Sequence, residues 1–179
     1  MKSTAIKGAT GEFYVASYLS ALELVVALPR GGVPSSDLLV TNFDCNKTIS
    51  IQVKTATKAL NRHGKYGEYL TWSVSTKSKL ISETSHWYAF VDLMGWPTES
   101  NSPDIYFVPS IDVAKILKTD WNNEGATRLF FPIFREINSE NQMYSICRNN
   151  SSFYKGMEGL KKIQEILKSP QPNNQADGK

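Results

Sequence analysis

The stretch TISIQVKTA, Thr48 to Ala56, alternates apolar and polar residues, the two-residue period of a strand with one face buried. Ile51, Val53 and Thr55 share one face, and Gln52 and Lys54 share the other. DCNK, Asp44 to Lys47, is turn chemistry, and DLLVTNF, Asp37 to Phe43, reads as the preceding strand. Further upstream PRGGVPSS, Pro29 to Ser36, is dense in turn residues, and LVVAL, Leu24 to Leu28, reads as a short buried strand. From Lys7 to Leu24 the residues are good helix formers. Phe13, Val15, Ala16, Leu19 and Leu22 are spread widely enough there to predict a largely buried helix. The chain therefore opens as a helix followed by a three-strand meander.

Downstream, a basic and aromatic segment leads to a strand over Tyr69 to Val74, and Thr76 to Glu83 suits a short helix. HWYAFVDLM (His86 to Met94) and DIYFVPS (Asp104 to Ser110) are apolar runs of the kind that form buried central strands. Ile111 to Leu117 resembles a helix. Phe153, Met157, Leu160, Ile163 and Leu167 recur at helical spacing and predict one amphipathic C-terminal helix. Residues 125 to 148 hold strand-like pieces only. No regular βαβ repeat is present, so the expectation is an α/β class with helices around one central mixed sheet.

The 179 residues carry 20 Lys and Arg against 17 Asp and Glu, a formal charge of +3, with 41% hydrophobic residues. That is globular composition and excludes a wholly disordered or collagen-like chain. One domain is expected over residues 1 to 168, with a disordered tail over 169 to 179, where two prolines and no large apolar residue occur. No membrane-length apolar run or signal-peptide pattern is found, so the protein is expected to be soluble and cytoplasmic. Cys45 and Cys147 lack the spacing of a zinc site or disulfide framework, and reduced thiols are expected. P-loop, GxGxxG, HExxH and GxSxG motifs are all lacking.

The chemistry gathers around the alternating strand. Pairing of DLLVTNF with it across the Asp44 to Lys47 turn brings Asp37 near Gln52 and Lys54. Glu12 lies on the same helical face as Ala16 and Leu19, which makes it an inward-facing acid. Two carboxylates, an amide oxygen and a backbone carbonyl are hard donors suited to Mg²⁺. An adjacent ammonium would orient or help deprotonate a water and offset phosphate charge. Phosphodiester hydrolysis fits such a set. Singly, each residue has a plainer reading: Glu12 as a helix N-terminal acid, Asp37 as a turn cap, Gln52 and Lys54 as a solvated strand face.

GEFYVASYL, DLLV and ISIQVKTA resemble, in order, the helix-borne Glu, the Asp and the (D/E)xK elements of PD-(D/E)XK nucleases. The spacing is similar to that of Holliday-junction resolvases and intron-homing endonucleases of this fold, and some Mrr-like enzymes also carry the QxK form. The resemblance spans about residues 7 to 60. It implies a restriction-endonuclease-like fold and a metal-dependent DNA endonuclease using Mg²⁺, with Mn²⁺ as substitute. Glu12, Asp37 and Gln52 would then be metal ligands together with the Val53 carbonyl, and Lys54 the catalytic lysine. Ser36 stands where the family has Pro, and Gln52 replaces an acid. The resembling families are oligomeric, so a homodimer or higher assembly is implied. Loss of Asp37 is expected to leave metal-free stability level or raised, because carboxylate repulsion is relieved.

Charge is polarised along the chain. Lys47, Lys54, Lys58, Arg62 and Lys65 cluster without an acid, whereas Glu83, Asp92, Glu99, Asp104 and Asp112 cluster without a Lys or Arg. Lys58, Arg62 and Lys65 are candidates for phosphate contacts, with a solvated loop as the alternative. The rival functions are a nucleic-acid-binding module without efficient catalysis, and a protein-interaction or immunity-type domain using the acidic segment. His63 and His86 have no partner at useful spacing, and His86 is expected to be structural. The aromatic groups around Trp87 and Phe130 are expected in the core.

Overall fold

The structure, a computed structural model, describes residues 3–29 and 36–168. Most of the turn-rich stretch after Pro29 and the whole expected tail lie outside them. Helix α1 (Thr4–Ser20) is capped by Ser3, whose Oγ accepts from the Ile6 N–H. It leads into strands β1 (Val25–Ala27), β2 (Leu38–Thr41) and β3 (Thr48–Ala56), paired antiparallel in sequence order as the meander requires. Strands β6 (His86–Asp92) and β7 (Asp104–Pro109) complete a five-stranded sheet ordered β1-β2-β3-β6-β7, in which β3 and β6 are parallel and β6 and β7 antiparallel. This is the expected central mixed sheet.

A parallel pair needs a long crossover, and here that crossover is β-structure. Strands β4 (Leu60–His63) and β5 (Gly67–Val74) form a hairpin inside the β3–β6 connection. With β8 (Leu129–Phe134) they build a second, three-stranded antiparallel sheet. The basic segment expected as a loop is therefore β4 and its turn. The sequence does not announce the second sheet, because β8 pairs with β5 across more than fifty residues and local periodicity carries no information about such a partner.

The two faces of the central sheet bury different partners. Ile49, Ile51, Val53, Trp87, Ala89 and Val91 pack against α1 and α4 (Gly156–Lys168). Tyr88, Phe90, Tyr106 and Val108 pack against the inner face of the small sheet and against α2 (Ser110–Leu117). Every residue of β6 is buried, because helices cover one side of it and the small sheet the other.

Three local expectations are corrected. Phe13 is 63% exposed rather than core. The buried stripe of α1 is Gly11, Val15, Ala16 and Leu19, and at about 100° per residue Phe13 lies half a turn away from it. The C-terminal helix is two helices, α3 (Asn150–Tyr154) and α4, separated by Lys155, which bridges to Tyr106 of β7. Phe153 and Met157 consequently face outward while Leu160, Ile163 and Leu167 are buried. Thr76 to Glu83 contains a single 3-10 turn, Thr76–Lys79, in place of a helix.

Gly11 sets how closely α1 lies on β3. A Cβ there would overlap the Thr55 side chain, and Thr55 belongs to the strand that carries Gln52 and Lys54. Gly11→Ala is expected to destabilise the protein by about 1–3 kcal/mol, the usual cost of forcing extra volume into a packed contact. Urea unfolding measures it, and a midpoint equal to the parent's would show that α1 is free to move away.

Candidate active site

The site exists because β3 outruns its neighbour. Strand β2 begins at Leu38, opposite Ile51, so from Gln52 onward β3 pairs only with β6. Asp37 covers the first vacant position. Its N–H donates to the Ile51 carbonyl at 3.0 Å, and its Oδ2 accepts from the Val53 N–H at 2.7 Å. A side-chain carboxylate thereby continues the backbone ladder and is held against β3. Beyond it opens a cleft of about 680 Å³, bounded by α1, the second half of β3 and the small sheet.

Glu12 and Lys7 reach this cleft from α1, Asp37, Val53 and Lys54 from the β2–β3 edge, Lys58 from the following loop, and Arg128 from just before β8. Burial, together with the neighbouring negative charge of Asp37, holds the Glu12 carboxyl above its ordinary range, against the pull of Lys54. Burial lowers the Lys54 ammonium, opposed by the charges of Asp37 and Glu12. The three side chains form one electrostatic unit in which the Asp37 charge raises the cost of ionising Glu12, and both carboxylates stabilise the ammonium.

The sign of the Glu12 shift gives a stability prediction. A carboxyl whose pKa is raised on folding contributes nothing while protonated in both states, and penalises the folded state once pH exceeds its ordinary value near 4.5. Metal-free Glu12→Gln is therefore expected to melt above the parent at neutral pH, with the gap closing as pH falls below the ordinary carboxylate range. Thermal melts across pH in chelator test this, and a pH-independent gap would assign the change to packing.

The structure brings together Glu12, Asp37, Val53 and Lys54, the residues singled out from the sequence, and separates others from them. Gln52 is half-buried on the Lys54 face of β3 but is not among the residues lining the cleft. Lys58 lines the cleft and pairs with Glu99 at 2.7 Å. Arg62 and Lys65 lie at the far β4–β5 hairpin, where Arg62 pairs with Glu68 and Lys65 with Glu140. Contiguity in sequence had grouped three basic residues that the hairpin then carries apart. Lys7 and Arg128 were missed, because neither lies near the alternating strand in sequence. Only the packing of α1 and the small sheet places them at the cleft.

The acidic segment is largely used internally. Asp92 is buried and accepts from the Ala59 and Met94 N–H groups. Asp104 pairs with Lys155 at 2.7 Å, and Asp112 accepts from the Tyr154 hydroxyl. These bonds engage Asp92, Asp104 and Asp112 within the fold. His86 is buried, with Nδ1 2.8 Å from Ser50 Oγ, and its own burial pushes its imidazole pKa down. Cys45 and Cys147 are free thiols. Phe130 is 45% exposed, contrary to the core position expected for it. Among the described residues no helix is long and apolar enough to cross a membrane.

No family model and no curated protein sequence matches the chain. A solved structure does: the bacterial homing endonuclease I-Ssp6803I, at 18% identity and a TM-score of 0.50, over 93% of this chain and 95% of that one. At that identity the likeness concerns the fold, and its near-complete coverage of both chains extends it beyond the β2–β3 hairpin to both sheets and their helices. The chain thus has the nuclease-like fold of that endonuclease, a central mixed sheet flanked by helices.

Proposed function

We propose that the protein is a metal-dependent DNA endonuclease of the PD-(D/E)XK type, working at the Glu12, Asp37 and Lys54 cleft. The observation that carries this reading is the electrostatic unit itself: two carboxylates and a half-buried lysine, delivered to one cleft by three separate parts of the chain. The likeness in fold to a homing endonuclease supports DNA as the partner.

The donor set fits a hard cation. The Asp37 charge raises the cost of ionising Glu12, a repulsion that a divalent ion relieves. Among the described residues no group of three or more His, Cys, Asp or Glu is assembled, and Mg²⁺ needs only one or two carboxylates because it keeps several waters. Glu12, Asp37 and the Val53 carbonyl would hold it, with Mn²⁺ as substitute, while the Gln52 amide, expected from the sequence as a further ligand, lies outside the cleft lining. When bound, the ion supplies Lewis-acid stabilisation of the phosphoryl oxygen and a more acidic water.

The chain's own groups do the remainder. Lys54, its ammonium lowered by burial, is placed to orient the attacking water, to accept its proton, and to offset charge as the P–O bond breaks. Lys7, Lys58 and Arg128 ring the cleft and would hold the flanking phosphates. Arg62 and Lys65 would extend that contact only for DNA long enough to reach the hairpin. Cutting both strands calls for two sites, hence a homodimer or higher assembly.

A binding module without catalysis is the second reading, favoured by one observation: Gln52 leaves the site without a third acid. Incubation of the purified protein with supercoiled, linear and branched DNA, with and without Mg²⁺ or Mn²⁺, separates the two. Metal-dependent nicking is expected. Metal-independent binding without nicking would establish the binder.

A further inference from the structure

The cleft does not end at Arg128. Thr71 and Arg128 line it and also line a second hollow, about 320 Å³, on the outer face of the small sheet, walled by the rings of Tyr69, Trp121 and Phe130. The register explains the wall. Leu70, Trp72 and Val74 turn inward to the core, so Tyr69, Thr71 and Ser73 turn outward, and the cross-strand partner of Ser73 is Phe130.

Two features distinguish this hollow from ordinary surface. The rings are held in place from behind: Trp121 meets Tyr69 at 5.4 Å and Phe134 at 5.5 Å edge-on, and Tyr144 at 5.2 Å. Phe130, by contrast, is half exposed at its rim on a strand whose other residues are buried. At the junction with the cleft, the Arg128 guanidinium makes no ion pair among the described residues, and the Thr71 hydroxyl is buried without a hydrogen-bond partner.

An aromatic-walled hollow joined to a phosphate-binding cleft through an uncommitted arginine has the chemistry for a nucleobase whose own phosphate stays at the junction. Ring faces stack on any base, and arginine matches phosphate oxygens with paired donors. A volume at the low end of ligand sites, which run from roughly 300 to 1,000 Å³, suits one ring system and not a run of them. A base inside a duplex is stacked on both sides and has to leave the stack before entering a side pocket. Resting on the nuclease reading of the cleft, we propose that this hollow takes one unstacked nucleobase of the bound DNA strand, with Arg128 on its phosphate. The protein then selects DNA carrying an unpaired nucleotide beside the cut.

The test uses the full chain in chelator and two short DNA duplexes of one sequence, one fully paired and one with a single unpaired 2-aminopurine at its centre. The parent is expected to bind the second about tenfold tighter, the size of one base–aromatic stack, and to quench its fluorescence. Phe130→Ala should bring affinity for the unpaired DNA down to that for the paired DNA, while Phe130→Trp keeps the difference. Equal affinity of the parent for both, or equal weakening of both by Phe130→Ala, overturns the inference. Metal-dependent nicking of supercoiled plasmid, read separately, reports on the nuclease reading: it survives if only the hollow is misassigned. Binding of neither DNA overturns the inference, and absence of nicking as well overturns both.

Discussion

Lys54→Ala should lower single-turnover DNA cleavage by at least about a hundredfold, the usual effect of deleting a positioned electrostatic or acid–base group. The reason lies in where β3 puts the ammonium. It is half-buried at the one part of the strand without a second neighbour, facing Asp37 and Glu12, whose charges oppose the lowering that burial produces. Removing it takes away a cation coupled to both carboxylates, while Lys7, Lys58 and Arg128 remain to grip the backbone. DNA affinity in chelator should therefore change little. Lys54→Arg keeps the charge but cannot accept a proton at any working pH, so it separates the two roles: near-parent turnover would make Lys54 an electrostatic group, and an Ala-like loss a proton acceptor. Parent-like cleavage by Lys54→Ala would remove this cleft from catalysis altogether.

Asp37 is expected to show a double phenotype, and here the structure revises what the sequence suggests. From sequence, loss of one of two repelling carboxylates ought to leave the metal-free fold level or more stable. In the structure Asp37 Oδ2 is also the acceptor for the Val53 N–H at 2.7 Å. Asp37→Ala strands that donor at the edge of the sheet, at a cost of about 1–3 kcal/mol for an unsatisfied buried group, which outweighs the relief. Asp37→Asn keeps an acceptor oxygen and removes only the charge. The expectation is that Asp37→Ala lowers the urea midpoint while Asp37→Asn does so much less, and that both lose most divalent-ion affinity by calorimetry. Unchanged metal affinity in Asp37→Asn would leave Asp37 a purely structural ladder cap.

Much of this molecule follows from local sequence because its governing contacts are local. The antiparallel pairing of β1, β2 and β3 needs only short connections, and the alternation of Thr48–Ala56 sets its buried face as soon as one face must be buried. Asp37 and Lys54 meet because a hairpin brings its two ends together. Glu12 falls inward because helical period alone places it beside Val15 and Ala16, which are buried. The central mixed sheet was legible for the same reason: β6 and β7 are continuous apolar runs, and only a strand covered on both sides reads that way.

What the sequence left open depends on contacts between distant segments. The small sheet joins residues 60–74 to 129–134, and that single pairing carries Arg62 and Lys65 away from the cleft, brings Arg128 to it, and turns Phe130 outward beside Tyr69 and Trp121. Apolar content placed Phe13 and Phe130 in the core, but the position around a helix or across a sheet decides burial, and hydrophobicity alone does not. The sequence by itself determined the strand that carries Lys54 and the acids that face it. The tertiary structure decided which cations surround that site and what lies beyond it, because long-range strand pairing is fixed by the fit of whole faces and leaves no periodicity in the chain.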